Sequence, residues 1–262
     1  MILFPNLGIR NARRAGGWLW WGPWLALAIV SALFLAWRAF LSVDFLYPLW
    51  YDEMHIDQTI ARYGPQNRNR SAFESTTRAE RIRLFGAIVD GIQRQDTAWE
   101  TLRYHDPGGR SVASLLTHPE IVHLQDVARL VRVWTVTGWA ATLAWLTLTL
   151  IILTRRPPMP SVRGLLIGTG LTATAITLAV LLAGPVKVFY RLHTWIFPPG
   201  HPWFFYYQDS LMTLLMKAPD LFAGIAALWA GLALLSLVGM VFLTQRGLRR
   251  LAEPARGRQR HD

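Results

Sequence analysis

Four long apolar runs constrain this chain more than any other feature. They are Trp18 to Trp37, Val133 to Leu153, Leu165 to Val186 and Leu221 to Leu243, and none contains Asp, Glu, Lys or Arg. A helix rises about 1.5 Å per residue and a bilayer's hydrocarbon core is about 30 Å thick, so roughly 20 apolar residues suffice to cross it. Each run therefore reads as a transmembrane helix. The tails and two loops that remain leave one integral membrane domain over residues 1–262, with spans at approximately 18–37, 133–153, 165–186 and 221–243. The first run resembles a signal peptide in following arginines. It is longer than a typical h-region, lacks a small-x-small cleavage site and is expected to be retained.

The formal charge of +11 would suggest nucleic acid on a soluble surface, but its position gives another reading. Arg10, Arg13 and Arg14 precede the first run, Arg155, Arg156 and Arg163 lie between the second and third, and Arg246, Arg249, Arg250, Arg256, Arg258 and Arg260 follow the fourth. Short basic segments beside helix ends face the cytoplasm. Both termini are thus expected inside, with the outer loops at 41–127 and 187–217, and no nucleic-acid partner is needed. Residues 41–127 carry nine Arg against twelve Asp plus Glu, as suits an outer loop. With no cysteine, disulfides, thiolate nucleophiles and Cys-type zinc or iron–sulfur sites are excluded.

The outer segments carry further signals. From Thr76 to Gln95, Ile82, Phe85, Ile88, Val89 and Ile92 recur at helical spacing, predicting an extracytoplasmic helix that lies on the membrane or caps the bundle. Thr117-His118-Pro119-Glu120 has the form of a capping box. A helix starting there runs into the second span and carries Glu120, His123, Asp126 and Arg129 through the headgroup zone. Gly164 and Gly168 form a small-xxx-small pair suited to close helix packing. The loop from Lys187 to Lys217 is rich in aromatics around Pro198-Pro199-Gly200-His201-Pro202, which predicts a re-entrant or interfacial hairpin in contact with membrane lipid. The fold class expected is an all-α membrane protein of four transmembrane helices with an extracytoplasmic helical segment and this hairpin.

Six of the seven histidines fall outside the membrane on this topology: His55, His105, His118, His123, His193 and His201. An imidazole titrates near neutrality, and a carboxylate one helical turn away can fix its tautomer. His123 with Asp126 has that spacing, and a simple hydrogen-bonding role at the helix start is its structural alternative. His193, among aromatics, is either a second catalytic imidazole or an amphipathic anchor. Asp209 either orients a histidine or caps the helix that follows. A metal held by His123, Asp126, His193 and Asp209 is chemically conceivable, although no His-Glu-x-x-His, Gly-x-Ser-x-Gly or phosphate-binding glycine motif occurs.

The ordered set Glu120 to Val127, Phe189-Tyr190-Arg191-Leu192-His193, Trp203-Phe204-Phe205, Asp209-Ser210-Leu211 and Pro219 resembles the bacterial lipoprotein intramolecular transacylase (Lit) family and its four-span relatives. The resemblance runs from about residue 80 to 245. It implies an acyltransferase that moves an acyl chain from the glyceryl sn-2 ester of a lipoprotein onto the N-terminal cysteine amine, giving the lyso form. It also implies His123 and His193 as catalytic residues, aided by Asp126, with no metal and no cofactor. Asp209, Phe189, Trp195, Trp203 and Phe204 would bind or orient the substrate, which is a diacylglyceryl-modified lipoprotein N-terminus. The setting implied is the bacterial cytoplasmic membrane, with the active face extracytoplasmic. The chain departs from the pattern in Trp195-Ile196-Phe197 and in the inserted Pro198–Pro202 turn, which leaves the acyl acceptor open. A metal-dependent membrane hydrolase and a non-catalytic assembly protein are the alternatives of other classes.

Overall fold

The computed structural model describes residues 6–94, 98–158 and 161–258, with the side chains at 6–18, 162, 165–166 and 252–258 excluded. Arg10, Arg13, Arg14, Arg256, Arg258 and Arg260 of the expected basic anchors therefore lie outside the described side chains, as do Trp18 and His261, and Gln95 lies outside the described residues.

Nine α-helices dominate the described residues: α1 (Asn6–Leu41), α2 (Tyr47–Glu53), α3 (Ile56–Tyr63), α4 (Arg78–Arg94), α5 (His118–Arg155), α6 (Val162–Ala183), α7 (Pro185–Ile196), α8 (Leu211–Leu215) and α9 (Asp220–Arg258). One small antiparallel hairpin, β1 (Arg103–His105) with β2 (Ser111–Ser114), interrupts the helical pattern. Its turn is held by Asp106, whose Oδ1 accepts the backbone N–H of Gly108 and of Arg110, both at 2.9 Å. Three helices are long and apolar enough to cross a membrane, and four if α6 and α7, broken at Gly184, are taken as one span. Gly184 has φ 88°, a conformation suited to glycine, and the third apolar run thus stops as a helix at Ala183 rather than at Val186.

The chain forms two compact units. The first combines α1 up to Ala36, Val136–Pro185 and α9 from Ala230 onward. Trp21 and Trp24 are buried in it beside Ala28, Ala32, Ile152, Leu237, Met240 and Val241. The Trp24 indole donates to Thr149 Oγ1 at 2.8 Å and the Trp21 indole to the Pro158 carbonyl at 3.1 Å. Both tryptophans are core residues whose N–H groups find acceptors within the apolar packing, on Thr149 of α5 and on Pro158 just beyond it. Large apolar side chains such as Leu143, Leu150, Ile176, Leu182, Leu235 and Leu243 point outward. Rows of exposed Leu and Ile on this scale are the surface of a protein whose solvent is hydrocarbon.

The second unit is Trp37–Thr135 with Val186–Trp229. Here α4 is a core helix: Leu84, Phe85, Ile88 and Val89 are buried, and Phe85 stacks on Tyr47 at 3.9 Å. The apolar face expected to meet lipid or a helix bundle is therefore covered by α2, α3, α8 and the β-hairpin's surroundings within the same hydrophobic cluster. Buried Arg81 donates to Thr76 Oγ1, Tyr51 Oη and the Glu74 carbonyl, which ties α4 to the preceding loop. The expected capping box forms at the start of α5, with Glu120 Oε2 accepting the Thr117 N–H and Oγ1–H, both at 2.6 Å.

The aromatic loop is only half irregular. Its first arm is α7, and Phe189, His193 and Phe197 recur every four residues, which places them along one face. The second arm, from Phe197 to Ser210, carries no long element and returns the chain to α8, whose N-cap is Ser210.

Candidate active site

Within the second unit lies a cavity of about 410 Å³. Its wall is almost wholly apolar, built by Leu41, Phe45, Phe85, Ile88, Val89, Leu124, Val131, Met212, Met216 and Phe222, among others. Six of its lining side chains carry polar nitrogen or oxygen atoms: Trp37, Gln93, His123, His193, Trp203 and Thr213. The two histidines suggested by the sequence therefore share one apolar chamber.

Phe197 ties the imidazoles together. Its ring lies 4.9 Å from that of His123 and 5.5 Å from that of His193, centroid to centroid. His193 also packs on Phe189 at 3.9 Å and on Trp203 at 5.0 Å, while His123 meets Phe205 at 5.9 Å. The two rings are near enough for a charge on one to act on the other.

Their hydrogen bonding differs in a way that sets their chemistry. His193 Nδ1 lies 2.8 Å from the Phe189 carbonyl oxygen, one turn earlier in α7. A carbonyl only accepts, so Nδ1 carries the hydrogen, and the lone pair of a neutral His193 resides on Nε2. His123 Nδ1 is buried and has no hydrogen-bond partner among the described residues, and the same is true of the indole Nε1 of Trp37. An unpaired polar atom in a dry chamber is costly in the absence of a ligand, so both atoms mark places where a polar substrate group would be welcome.

The other residues singled out by sequence are distributed differently. Phe189 and Trp203 line the cavity. Asp126 is one turn from His123 on α5, but its carboxylate is taken by Arg129 and by His201, whose Nδ1 lies 2.7 Å from Oδ2. The expected orientation of His123 by Asp126 thus gives way to the pairs that the carboxylate makes with Arg129 and His201. Asp209 pairs with Arg68 at 3.0 Å, and Ser210 itself caps α8. Trp195 is 73% exposed and lies under the Arg191 guanidinium, and Phe204 packs on Tyr190 and Tyr206 outside the cavity wall. The four residues suggested for a metal are not gathered, and among the described residues no three His, Asp or Glu side chains are placed to hold an ion. Of the remaining histidines, His105 pairs with the largely buried Glu80 at 2.9 Å and His55 precedes α3 in a left-handed conformation.

Several cavity residues carried no sequence signal of their own. Trp37 reads as the end of a span, and Gln93 as one polar residue of an amphipathic helix. Phe197 was legible only through its four-residue stride from His193.

This arrangement of helices has a counterpart among solved structures. The chain has the fold of Lit. It matches the membrane-integral lipoprotein intramolecular transacylase Lit from Bacillus cereus, solved in meso, with a TM-score of 0.60 at 17% identity over 94% of this chain and 98% of that one. A second structure of the same Lit, carrying a histidine-to-alanine replacement, matches with a TM-score of 0.61 at 17% identity, covering 96% and 99% of the two chains. No family model and no curated protein matches the sequence. The motif resemblance to Lit read from the sequence is thus borne out as a shared fold over nearly the whole chain.

Proposed function

We propose that this protein is a bacterial lipoprotein intramolecular transacylase, moving an acyl chain from the glyceryl sn-2 ester to the N-terminal cysteine amine at the outer leaflet of the cytoplasmic membrane. The observation that carries this reading is the pairing of His123 and His193 in one apolar cavity, each packed on Phe197. The Lit fold supports the reaction class.

An O-to-N shift needs a neutral amine that loses a proton, a donor to the tetrahedral oxyanion and a proton for the departing glyceryl oxygen. His193 is suited to the first role, since the Phe189 carbonyl holds its hydrogen on Nδ1 and leaves Nε2 basic. The amine nitrogen bonds to the ester carbonyl carbon as Nε2 takes its proton. His123, through its ring N–H, donates to the oxyanion and then to the glyceryl alkoxide as the C–O bond breaks. The proton held by His193 restores the pair. Trp37 Nε1–H is a neutral donor in the same cavity, available to a carbonyl oxygen. Ester and amine belong to one substrate molecule, so positioning in a dry chamber supplies much of the acceleration and no covalent acyl-enzyme is required.

The test is mass spectrometry of lipoprotein N-termini from cells expressing the protein or its variants. His123→Ala and His193→Ala should each cut lyso-form product by about 10²-fold or more, the usual contribution of a general acid or base. Protein level is checked by immunoblot. Lyso-form lipoprotein at the normal level in either variant would reject the assignment.

A further inference from the structure

The turn Pro198–Pro202, which interrupts the Lit-like motif pattern, holds a histidine that the proposed reaction does not use. We propose that His201 and Asp126 form a clasp that keeps the aromatic segment 197–205 closed over His123 and His193, and so directs the acyl group to the amine rather than to water. The inference rests on the transacylase reading for its chemical consequence, though not for its structural one.

The clasp joins a loop to the helix that bears a catalytic residue. His201 Nδ1 donates to Asp126 Oδ2 at 2.7 Å, and Asp126 lies one turn beyond His123 on α5. Asp126 is 3% exposed at its side chain, so its charge depends on donors within the protein. Its other partner, Arg129, is 66% exposed and reaches in from solvent. His201, at 37%, is the partner anchored at the loop.

Little else fastens this stretch. Among the described residues, the His201–Asp126 pair is the one hydrogen bond from 198–205 to another element. The rings on either side of it form the wall beside the imidazoles: Phe197 contacts both, Trp203 contacts His193 and Phe205 contacts His123. A loop held by rings alone opens readily, because ring contacts are not directional. With the clasp made, the wall excludes water while the amine attacks. With it lost, a water oxygen bonds to the ester carbonyl carbon, the bond from that carbon to the glyceryl oxygen breaks, the water's proton passes to the alkoxide, and the acyl group leaves as free fatty acid. His201 is thus a positioning residue whose signature is the partition between amide and fatty acid.

The experiment uses the full-length protein in lipid nanodiscs with a synthetic dipalmitoylglyceryl-cysteinyl peptide, and quantifies amide product and free palmitate by mass spectrometry. In His201→Leu the ratio of amide to palmitate should fall by about tenfold, the scale set by losing one hydrogen bond to a charged group. His201→Asn, whose side-chain N–H sits where Nδ1 does, should restore the ratio. Hydrogen exchange of 197–207, measured without substrate, should be faster in His201→Leu and return to the wild-type rate in His201→Asn. A wild-type ratio in His201→Leu overturns the proposal, whatever the exchange shows, and so does unaltered exchange. If the wild-type protein makes no amide, the transacylase reading fails, while the exchange data still decide whether the clasp exists.

Discussion

Glu120 is a carboxylate with no solvent exposure and, among the described residues, no cationic partner. Its four acceptor positions are filled instead by neutral donors: the Thr117 N–H and hydroxyl on Oε2, and on Oε1 the Ser210 hydroxyl at 2.6 Å and the Met212 N–H at 3.3 Å. One side chain thereby caps α5 and fastens the start of α8, the element that brings Met212, Thr213 and Met216 to the cavity. Glu120→Ala would leave several of these donors buried and unpaired. It should cost on the order of 3 kcal/mol, read as a fall in melting temperature of the detergent-solubilised protein. Ser210→Ala removes one donor and the α8 N-cap together, so a loss of about 1–2 kcal/mol is expected. A melting temperature unchanged by Glu120→Ala would show that the carboxylate is no structural anchor.

At the level of elements, small residues decide how closely helices approach. A Cβ on Gly138 of α5 would lie 2.1 Å from the Phe34 ring of α1, so Gly138→Val must push the two helices apart. A Cβ on Gly168 of α6 would meet nothing within 4 Å, which removes the close packing expected for the Gly164 and Gly168 pair. Gly138→Val should therefore lower thermal stability by about 1–3 kcal/mol, while Gly168→Ala should be neutral or slightly stabilising. A second prediction concerns the junction of α4 with β1. Burial works to raise the Glu80 carboxyl, but hydrogen bonds from Arg83 and His105 outweigh it and hold the pKa at about 2, down from the usual 4.5. A carboxyl depressed in the folded state contributes stability above its unfolded pKa, and that contribution is lost as pH falls through the folded value. Melting curves of the wild type should accordingly lose stability between about pH 4.5 and about pH 2, and Glu80→Gln should flatten that stretch of the profile.

For the whole molecule, the apolar runs and the outward-facing Leu and Ile describe a protein embedded in hydrocarbon. From the arginine distribution and the positive-inside rule we propose that residues 41–127 and 187–217 lie outside. Reporter fusions or single-cysteine labelling after residues 90 and 200 should report both positions as extracytoplasmic, and a cytoplasmic signal at either would reverse the topology. The absence of native cysteine makes the labelling free of background.

Sequence alone determined the all-α membrane fold, the start of α5 and the motifs around His123 and His193, because each depends on interactions that are local along the chain. Hydrophobic length sets a span, a capping box closes within three residues, and the ordered motifs around His123 and His193 are contiguous strings. What required the tertiary structure was everything that depends on which residues distant in sequence become neighbours. Spacing made Asp126 a partner for His123, but the partner is His201, which lies 75 residues away and enters through a loop whose path no local rule specifies. Asp209 turned to Arg68, at a separation of 141 residues, for the same reason. The aromatic loop read as a re-entrant or interfacial hairpin, yet its first arm is the helix α7, where Phe189 and His193 follow one another at four-residue spacing. The cavity is the furthest from the sequence: its wall draws on α1, α4, α5, α7, α8 and α9, and only their packing brings the two imidazoles to one apolar chamber.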